Sequence, residues 1–534
     1  MQIVSNVAEN NKSNETSVFV HTCIGIICVL SVVSFALFLA FSLIYTVYFD
    51  LYADSDNPVA GKENILLLIF LSVICLIVIY FIVNHTKVLS SDKKISRLLA
   101  CLLAFTAVVC LYLIYGVKGQ PNSDAAQVGN AVEEFLNGDF SELSEVGSYF
   151  CLCPHQLGYA ATEMLISVLF GRNNYVAYEI VNVISILITL YVINKISSEL
   201  FENKAVRGLT VILCFGMLYL YLYSTYFYGD IWSLAPEIAA IYFAIVYMKR
   251  RRLRDVILCG LTIGLACLLK NNCVIALVAI VIVLVLTIVN DMSEKKFISG
   301  LRMLLSVFCI VAIWFAMKEA LAFGFERAAG IEEIPKGIPS SCYIAMGLHD
   351  QEFRSGWFDH SNWSFYQDNN YDWAAADAAA KADIAETLSS WSNRPWHGIR
   401  VLLQKNISMW ADPTCASIHQ LEYTGRHSEG RTALVMSLTY GTGRTIISWI
   451  MNVWQTIVYL GAFIYCLYAF KHRKEVRLYQ ILPLVFILGG IMFLMIWEAN
   501  SRATVRYMNV MVIYAAFGID KMLSGIHSKS QIHH

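Results

Sequence analysis

The chain has 534 residues, of which 57% are hydrophobic and 15% are charged, and its formal net charge is −1. Together with a mean hydropathy of +0.57, this composition excludes an ordinary soluble globular protein and indicates an integral membrane protein. The near-zero charge also gives no basic field that would attract nucleic acid, so we expect no nucleic-acid partner.

Apolar runs long enough to cross a bilayer, which takes roughly 20 helical residues, recur along the chain. The first run follows a polar N-terminus and is too long for the apolar part of a cleaved signal peptide. The sequence therefore predicts an all-α polytopic membrane protein with about twelve spans. We predict these spans at residues 18–48, 63–84, 95–115, 175–195, 206–224, 231–248, 254–270, 273–290, 297–318, 447–469, 477–497 and 507–523.

Lysine and arginine residues indicate the orientation of these spans. They recur in loops at residues 87–97, 195–207, 249–254, 295–296 and 471–477, which all fall on one side of the membrane when twelve spans are counted. Because cytoplasmic loops carry an excess of Lys and Arg, we expect this side and both termini to be cytoplasmic.

One apolar segment, residues 155–171, is left out of the count because it is short and carries Glu163 in its middle. If this segment crossed the membrane, every later basic loop would move to the outside. We interpret it as an amphipathic helix in the outer interface, and a short true span is the alternative. The residues on its apolar face are Leu157, Ala161, Leu165 and Val168.

Two long polar segments, residues 116–174 and 319–446, are then external loops. The Ala-rich stretch that begins at Trp373 in the second loop favours a helix. The predicted organisation is an N-terminal segment with two additional spans (1–94), a transmembrane core that includes the first external loop (95–318), a large extracytoplasmic loop domain (319–446), and C-terminal spans with a cytoplasmic tail (447–534).

Four stretches of the chain carry a resemblance to a known family. They are "NSDAAQVGNAVEEFLNGDF" followed by "PHQLGY", then "YSTYFYGDIWSLAP", "GLACLLKNNCVIAL" and "WEANSRATVRYMNVMVIYAAFGID". In this order they resemble bacterial polytopic membrane glycosyltransferases of the GT-C type, which are related in plan to protein O-mannosyltransferases and the lipid A aminoarabinose transferase. The resemblance covers roughly residues 95–524 and leaves the first two spans as an addition.

The resemblance implies a GT-C-like fold and a location in the bacterial plasma membrane with an extracytoplasmic active site. Nucleotide sugars are absent outside the cell, so the donor would be a polyprenyl phosphate that carries one sugar. The acceptor would be a cell-envelope glycopolymer, a glycolipid or a protein, glycosylated with inversion. Such a transfer needs a carboxylate base, cations for the phosphate, and an apolar groove that opens to membrane lipids.

Asp124 is the predicted catalytic base, because it follows the span 95–115 closely and matches the position of the family's catalytic acid. The alternative is a structural role at the start of a helix, since "NSD" precedes a helical pattern and Ser or Asp can cap free N–H groups there.

Arg502, Arg506 and Lys270 are the predicted phosphate ligands. The two arginines are four residues apart at the start of a helix, so they share one face near the positive end of the helix dipole. They could instead reach up to lipid headgroups, and Lys270 could be a simple turn cation.

Four further residues are predicted to contribute to substrate binding. Asp230 could hold the acceptor or a metal, or cap a helix, whereas Glu498 could orient an arginine or merely pair with it. His155 could bind donor phosphate or sugar, or act as an ordinary interfacial residue. Tyr507 belongs to the Arg-Tyr segment of the resemblance.

The sequence does not decide whether a metal cofactor is bound or whether tryptophan residues stack on a sugar. Some GT-C enzymes bind a divalent cation and others do not, and acidic residues and a histidine spread over three loops do not decide between them. Trp357, Trp363 and Trp373 could stack on sugar rings or serve as core or interfacial anchors.

Other classes of protein also fit a twelve-span chain. A transporter or flippase for a lipid-linked or polar solute is the main alternative, although transporters usually place ionisable residues or broken helices near the bilayer midplane. A polymerase or ligase for lipid-linked glycans would share the lipid phosphate. A noncatalytic scaffold gives no reason for external acids beside helix-mouth arginines.

Overall fold

Helices make up most of the computed structural model, which describes residues 18–51, 56–86, 89 and 91–532. The polar N-terminal segment 1–17, which we predict to be cytoplasmic, lies outside the described residues. The helices up to the large loop are α1 Val18–Ile44, α2 Ile65–Thr86, α3 Asp92–Val117, α4 Asp124–Leu136, α5 Tyr149–Leu152, α6 Leu157–Phe170, α7 Tyr175–Leu200, α8 Lys204–Cys214, α9 Leu218–Leu222, α10 Gly229–Trp232, α11 Leu234–Arg250, α12 Leu253–Leu269, α13 Val274–Ser293 and α14 Phe297–Ala329.

The second half of the chain is built in the same way. Its helices are α15 Ser340–Leu348, α16 Ser361–Gln367, α17 Trp373–Asn393, α18 Pro395–Trp410, α19 Ser417–Gly425, α20 Ala433–Tyr440, α21 Thr442–Lys471, α22 Leu478–Ile496 and α23 Val505–Ile532. The predicted all-α polytopic membrane fold is confirmed, and the Ala-rich stretch from Trp373 is the helix α17.

Fewer helices than the predicted twelve are long and apolar enough to cross a membrane. Within the described residues nine helices meet this condition, or ten if the pair Lys204–Cys214 and Leu218–Thr225, bent by 46°, forms one span. The other two predicted spans are present as the helices α12 and α23, but neither is among the nine. Helix α12 has 17 residues, which is short for a span.

A β-hairpin between α1 and α2 is the main feature that the sequence reading missed. Strand β1 (Tyr45–Phe49) pairs antiparallel with β2 (Pro58–Lys62). We predicted helix up to residue 48, but the β-branched and aromatic residues of "YTVYF" alternate in burial and form a strand. The hairpin docks on the large loop, because Val47 N donates to Ala411 O at 2.9 Å.

Helix α6 confirms that the segment 155–171 is helical, and it is not one of the candidate spans. Its faces differ in part from the prediction. Leu165 and Val168 are exposed, as a membrane-facing surface requires, whereas Leu157 is buried. Glu163 is also buried and lies in the protein core beside Tyr159.

The large loop packs against the ends of the membrane helices. Lys405 on α18 is fully buried, and its ammonium donates to the carbonyl oxygens of Gly347, Trp497 (2.6 Å) and Met495 (3.3 Å). Trp357 is also buried and donates to Ser408, so it is a core residue rather than an exposed sugar platform. The ring of Trp373 is 38% exposed and lies beneath Lys336.

Candidate active site

A buried carboxylate with three cations around it forms the centre of the candidate site. The Asp230 carboxylate lies 2.9 Å from Lys270 Nζ, 3.7 Å from Arg502 Nε and 3.9 Å from Arg506 Nη2. Arg506 also makes a pair of hydrogen bonds, of 2.9 and 3.0 Å, to Glu237 in the first turn of α11. Lys270, Arg502 and Arg506 are therefore the cationic groups of this cluster that could bind an anionic ligand.

Two glycines allow the elements that carry this cluster to come close together. A Cβ on Gly229 would stand 2.0 Å from Leu269 O, and one on Gly158 would stand 2.1 Å from Leu268 O. Because no side chain intervenes, the C-terminal end of α12 packs directly on α6 and α10. Lys270 follows this end immediately, so the close approach brings it to Asp230.

Asp124 is held by a loop that docks onto α19. Gln120 N donates to Thr424 O at 2.9 Å, and the Asn122 side chain donates to Tyr423 O. Ser123 follows with φ 48° and ψ −127°, a conformation that costs a non-glycine residue about 1–3 kcal/mol. The docked loop therefore fixes where Asp124, the first residue of α4, begins its helix.

The carboxylate of Asp124 is exposed and points to the aromatic turn before α10. Tyr228 Oη donates to Asp124 Oδ2 at 3.3 Å. In the described part of the chain the N-cap position belongs to Ser123, whose side chain makes no capping hydrogen bond. The contact with Tyr228 therefore favours a site role for Asp124 over a capping role.

Tyr228 connects the carboxylate to the cation cluster. Its hydroxyl also accepts from Gln156 at 2.6 Å and lies 3.2 Å from the hydroxyl of Tyr149. Lys270 Nζ lies 4.2 Å from the centre of its ring, and the Arg502 guanidinium carbon lies 6.0 Å away. A single tyrosine thus contacts both the predicted base and the predicted phosphate ligands.

Glu498 and His155 lie at the edge of the same cluster. Burial raises the pKa of Glu498 to about 7, and Asp124 raises it as well, while Arg502 and Lys270 act in the opposite direction. His155 occupies the 3-10 turn before α6, where its ring is exposed and interacts electrostatically with Lys270.

The two arginines and Tyr507 are not equivalent in position. Arg502 is partly exposed beside Asp230, whereas Arg506 is buried in its pair with Glu237, so it does not reach towards lipid headgroups. The ring of Tyr507 is buried and packs on Phe486, with centroids 4.9 Å apart. These positions favour Arg502 as a ligand, Arg506 as a positioning residue and Tyr507 as a packing residue.

Several residues of the cluster were not singled out from the sequence. Tyr228 and Gln156 lie in stretches that carried the resemblance, but nothing distinguished them from neighbouring aromatic and polar residues. Tyr149 lies between two of those stretches. Asp56 comes from the hairpin, where His419 Nε2 lies 2.9 Å from its carboxylate. Although burial opposes the shift, this contact with His419 and the charge of Arg502 lower the pKa of Asp56.

All 15 cysteines of the chain are free. Within the described residues, no group of three or more His, Cys, Asp or Glu side chains is placed to hold a metal ion.

The fold and the cluster define the class: a multi-pass, all-α membrane protein with a buried charged site where the large loop meets the helix ends. More particularly, a family model described as "Conserved hypothetical integral membrane protein" matches residues 26–523, and the chain belongs to this family. No curated protein matches the chain.

Solved structures with a similar course of the chain include two crystal structures of ArnT from Cupriavidus metallidurans. The apo structure is 14% identical, and the match covers 79% of this chain and 76% of that chain with a TM-score of 0.32. The structure bound to undecaprenyl phosphate is 13% identical, with 79% and 77% covered and a TM-score of 0.32. At these identities and TM-scores, both are distant likenesses of this chain.

Proposed function

We propose that the protein is a glycosyltransferase that moves a monosaccharide from a polyprenyl-phosphate donor to a cell-envelope acceptor. The observation that carries the proposal is the contact of Tyr228 with both Asp124 and Lys270. One side chain thus contacts an exposed carboxylate through its hydroxyl and a cation through its ring. A transfer from a lipid phosphate to a hydroxyl needs these two functions close together.

In the proposed reaction, the acceptor hydroxyl attacks the anomeric carbon and forms the new glycosidic bond. Asp124 accepts the proton of this hydroxyl. The bond between the anomeric carbon and the phosphate oxygen breaks, and polyprenyl phosphate leaves with the electron pair. Lys270 and Arg502 neutralise the charge that grows on the phosphate, while Arg506 and Glu237 hold the cluster in place.

The position of the site along the helices supports an extracytoplasmic reaction. Asp230 lies at the N-terminal end of the span Gly229–Arg250, whereas Lys249 and Arg250 lie at its other end and pair with Glu199. Helix α12 then runs back in the opposite direction, and Lys270, which follows its last residue, lies at the same end as Asp230. By the positive-inside rule, the basic end faces the cytoplasm and the site faces outwards.

The decisive experiment measures sugar transfer from radiolabelled polyprenyl-phosphate monosaccharides to endogenous envelope acceptor in membranes. We expect Asp124→Asn to abolish transfer while donor binding is retained. Glu134→Gln is the matched control, because Glu134 is an exposed carboxylate on the same helix α4 and should leave transfer unchanged. Full activity of Asp124→Asn would remove Asp124 as the base.

The competing proposal is a transporter or flippase for a lipid-linked or polar solute. It predicts translocation of a labelled lipid-linked sugar across proteoliposomes with no change in its covalent bonds. Absence of transfer from every donor by the wild type, together with such translocation, would favour the transporter.

A further inference from the structure

A cavity of about 660 Å³ lies between the β-hairpin, the turn before α19 and the first turns of α21. Its volume is in the range of small-molecule binding sites. One wall comes from β1 and the other from the loop domain and α21, so the additional N-terminal segment is needed to form it.

Two buried polar groups that line this cavity lack a partner. His419 is 4% exposed and Asn452 is 2% exposed. Among the described residues, no protein group pairs with His419 Nδ1 or with Asn452 Oδ1. A buried polar atom without a partner is costly, so both atoms call for a ligand that carries hydrogen-bonding groups.

The imidazole of His419 is fixed from two other sides. Its Nε2 lies 2.9 Å from Asp56, and its ring stacks on Phe49 with centroids 5.0 Å apart. The ring of His419 is therefore held in one orientation at the wall of the cavity.

The remaining lining fits a sugar better than an anion or an acyl chain. The lining includes two aromatic residues, Trp449 and Tyr48, and two residues with hydroxyl groups, Thr445 and Ser448. Asp50 and Glu63 also line the cavity, against one arginine, so the lining has no excess of positive charge for a phosphate. An acyl chain would leave His419 and Asn452 without partners.

We propose that this cavity binds a neutral saccharide unit of the acceptor. The assignment of this saccharide to the acceptor rests on the proposed function. The binding of a saccharide in the cavity does not rest on it. Binding and transfer are therefore measured separately, so that failure of one can be distinguished from failure of the other.

The binding test uses saturation-transfer NMR on the purified full chain with the methyl glycosides of glucose, galactose, mannose and N-acetylglucosamine, and with inorganic phosphate as an anion. We expect at least one glycoside to bind the wild type and phosphate not to compete. Thr445→Trp, which fills the cavity, should weaken this binding at least tenfold. Ile446→Trp is the matched control, because Ile446 is the next residue of α21, is 60% exposed and does not line the cavity.

A second variant, Asn452→Leu, removes the unpartnered oxygen at similar volume and should also weaken binding at least tenfold. Thermal unfolding of each variant separates loss of binding from loss of folding, and Thr445→Trp decides if Asn452→Leu does not fold. In the transfer assay, Thr445→Trp should raise the acceptor KM at least tenfold without changing donor affinity.

Three results would overturn the inference: no glycoside binds the wild type, all variants bind equally well, or phosphate or a co-purified phospholipid occupies the cavity and is displaced by Thr445→Trp. If a glycoside binds and Thr445→Trp abolishes binding, the cavity is a saccharide site even when no transfer is detected. In that case the proposed transferase activity fails and the binding site stands.

Discussion

Tyr228 contacts both parts of the candidate site, the predicted base Asp124 and the cation cluster. Its hydroxyl donates to Asp124, and its ring lies beneath Lys270. Because a carboxylate that accepts a hydrogen bond is held in one orientation, Tyr228 positions the predicted base. Tyr228 is thus a positioning residue under the proposed function.

We expect Tyr228→Phe to lower kcat by at least about tenfold, since one hydrogen bond to a charged group contributes about 1.5–3 kcal/mol. The acceptor KM should change less than kcat, because the hydroxyl acts on Asp124 rather than on the substrate. Steady-state kinetics with varied acceptor provide the measurement. Tyr242→Phe, on α11 with its ring against Phe243, is the control. A kcat equal to that of the wild type would contradict this role.

Glu498 gives the cluster a dependence on pH. Because burial raises the pKa of Glu498 to about 7, its carboxyl group is neutral below this pH and anionic above it. The anionic form stands beside Arg502 and opposes binding of a phosphate. We therefore expect donor affinity to fall as pH rises through about 7, and Glu498→Gln to remove this dependence.

The measurement is binding of a polyprenyl-phosphate monosaccharide between about pH 5.5 and about pH 8.5. This range covers roughly one to two pH units on either side of the transition. Its phosphodiester does not titrate there, so the donor contributes no change of its own. An identical pH dependence in Glu498→Gln would show that another group is responsible.

Residue types in the sequence indicated most members of the charged cluster but not which of them pair with each other. Asp124, Asp230, Lys270, Arg502 and Glu498 are brought together, although their roles remain predictions. Sequence spacing suggested that both arginines reach one phosphate, but the partner of Arg506, Glu237, lies on a distant helix and is visible only in the fold. Local patterns carry no information about such pairs.

At the scale of elements, the packing of α12 on α6 and α10 depends on glycine. Gly229→Ala would place a Cβ 2.0 Å from Leu269 O, and backbone must move to relieve it. We expect a loss of about 1–3 kcal/mol in the free energy of unfolding, together with lower transfer activity because Lys270 moves with the end of α12.

Thermal unfolding in detergent and the transfer assay measure these two effects. The control is Gly129→Ala on α4, where a Cβ meets no atom within 4 Å. Since alanine favours helix over glycine, this variant should be unchanged or slightly more stable. Equal stability of the two variants would mean that the close approach is not required.

The buried ammonium of Lys405 joins α18 to the ends of α15 and α22. Lys405→Met removes the donor of three carbonyl groups, and each buried acceptor left without a partner costs about 1–3 kcal/mol. We expect a clearly lower unfolding temperature. Lys381→Met is the matched control, because Lys381 is exposed on α17 in a surface pair with Asp377, which contributes at most about 1 kcal/mol. Similar unfolding temperatures for both variants would contradict the role of Lys405.

The hairpin shows why some elements were not predictable. Apolar helix and β-branched strand follow each other without a polar break at residues 44–45, so hydropathy alone extends the helix. The alternating burial that distinguishes the strand comes from the large loop, which lies hundreds of residues later. By contrast, α17 was predictable because alanine favours helix without any tertiary contact.

At the scale of the whole molecule, the composition was enough to predict a helical membrane protein, but the span count was not fixed by it. Helix α23 reads as a span but is mostly buried among other helices, whereas α12 exposes Leu253, Leu261 and Leu265 along one face and is short for a span at 17 residues. Burial in protein and burial in lipid produce the same composition, so a sequence cannot separate them.

The predicted orientation can be tested with a membrane-impermeant maleimide on whole cells. In a Cys101→Ala background, which removes the exposed native thiol, we expect Ser144→Cys to be labelled and Glu475→Cys to be protected until the cells are lysed. Ser144 lies in the first predicted external loop and Glu475 in a predicted basic cytoplasmic loop. The reverse pattern would place the site on the cytoplasmic side.

The loop that carries Asp124 docks on Thr424, and Asp230 meets its two guanidinium partners at Arg502 and Arg506. Both ties join early parts of the chain to parts that the ribosome makes much later. A nascent polypeptide therefore pairs Asp230 with Lys270 alone and leaves the Asp124 loop undocked. Under the proposed function, catalytic competence would arise only when the last helix enters the membrane, so biosynthesis itself would keep unfinished chains from drawing on the pool of lipid-linked sugar.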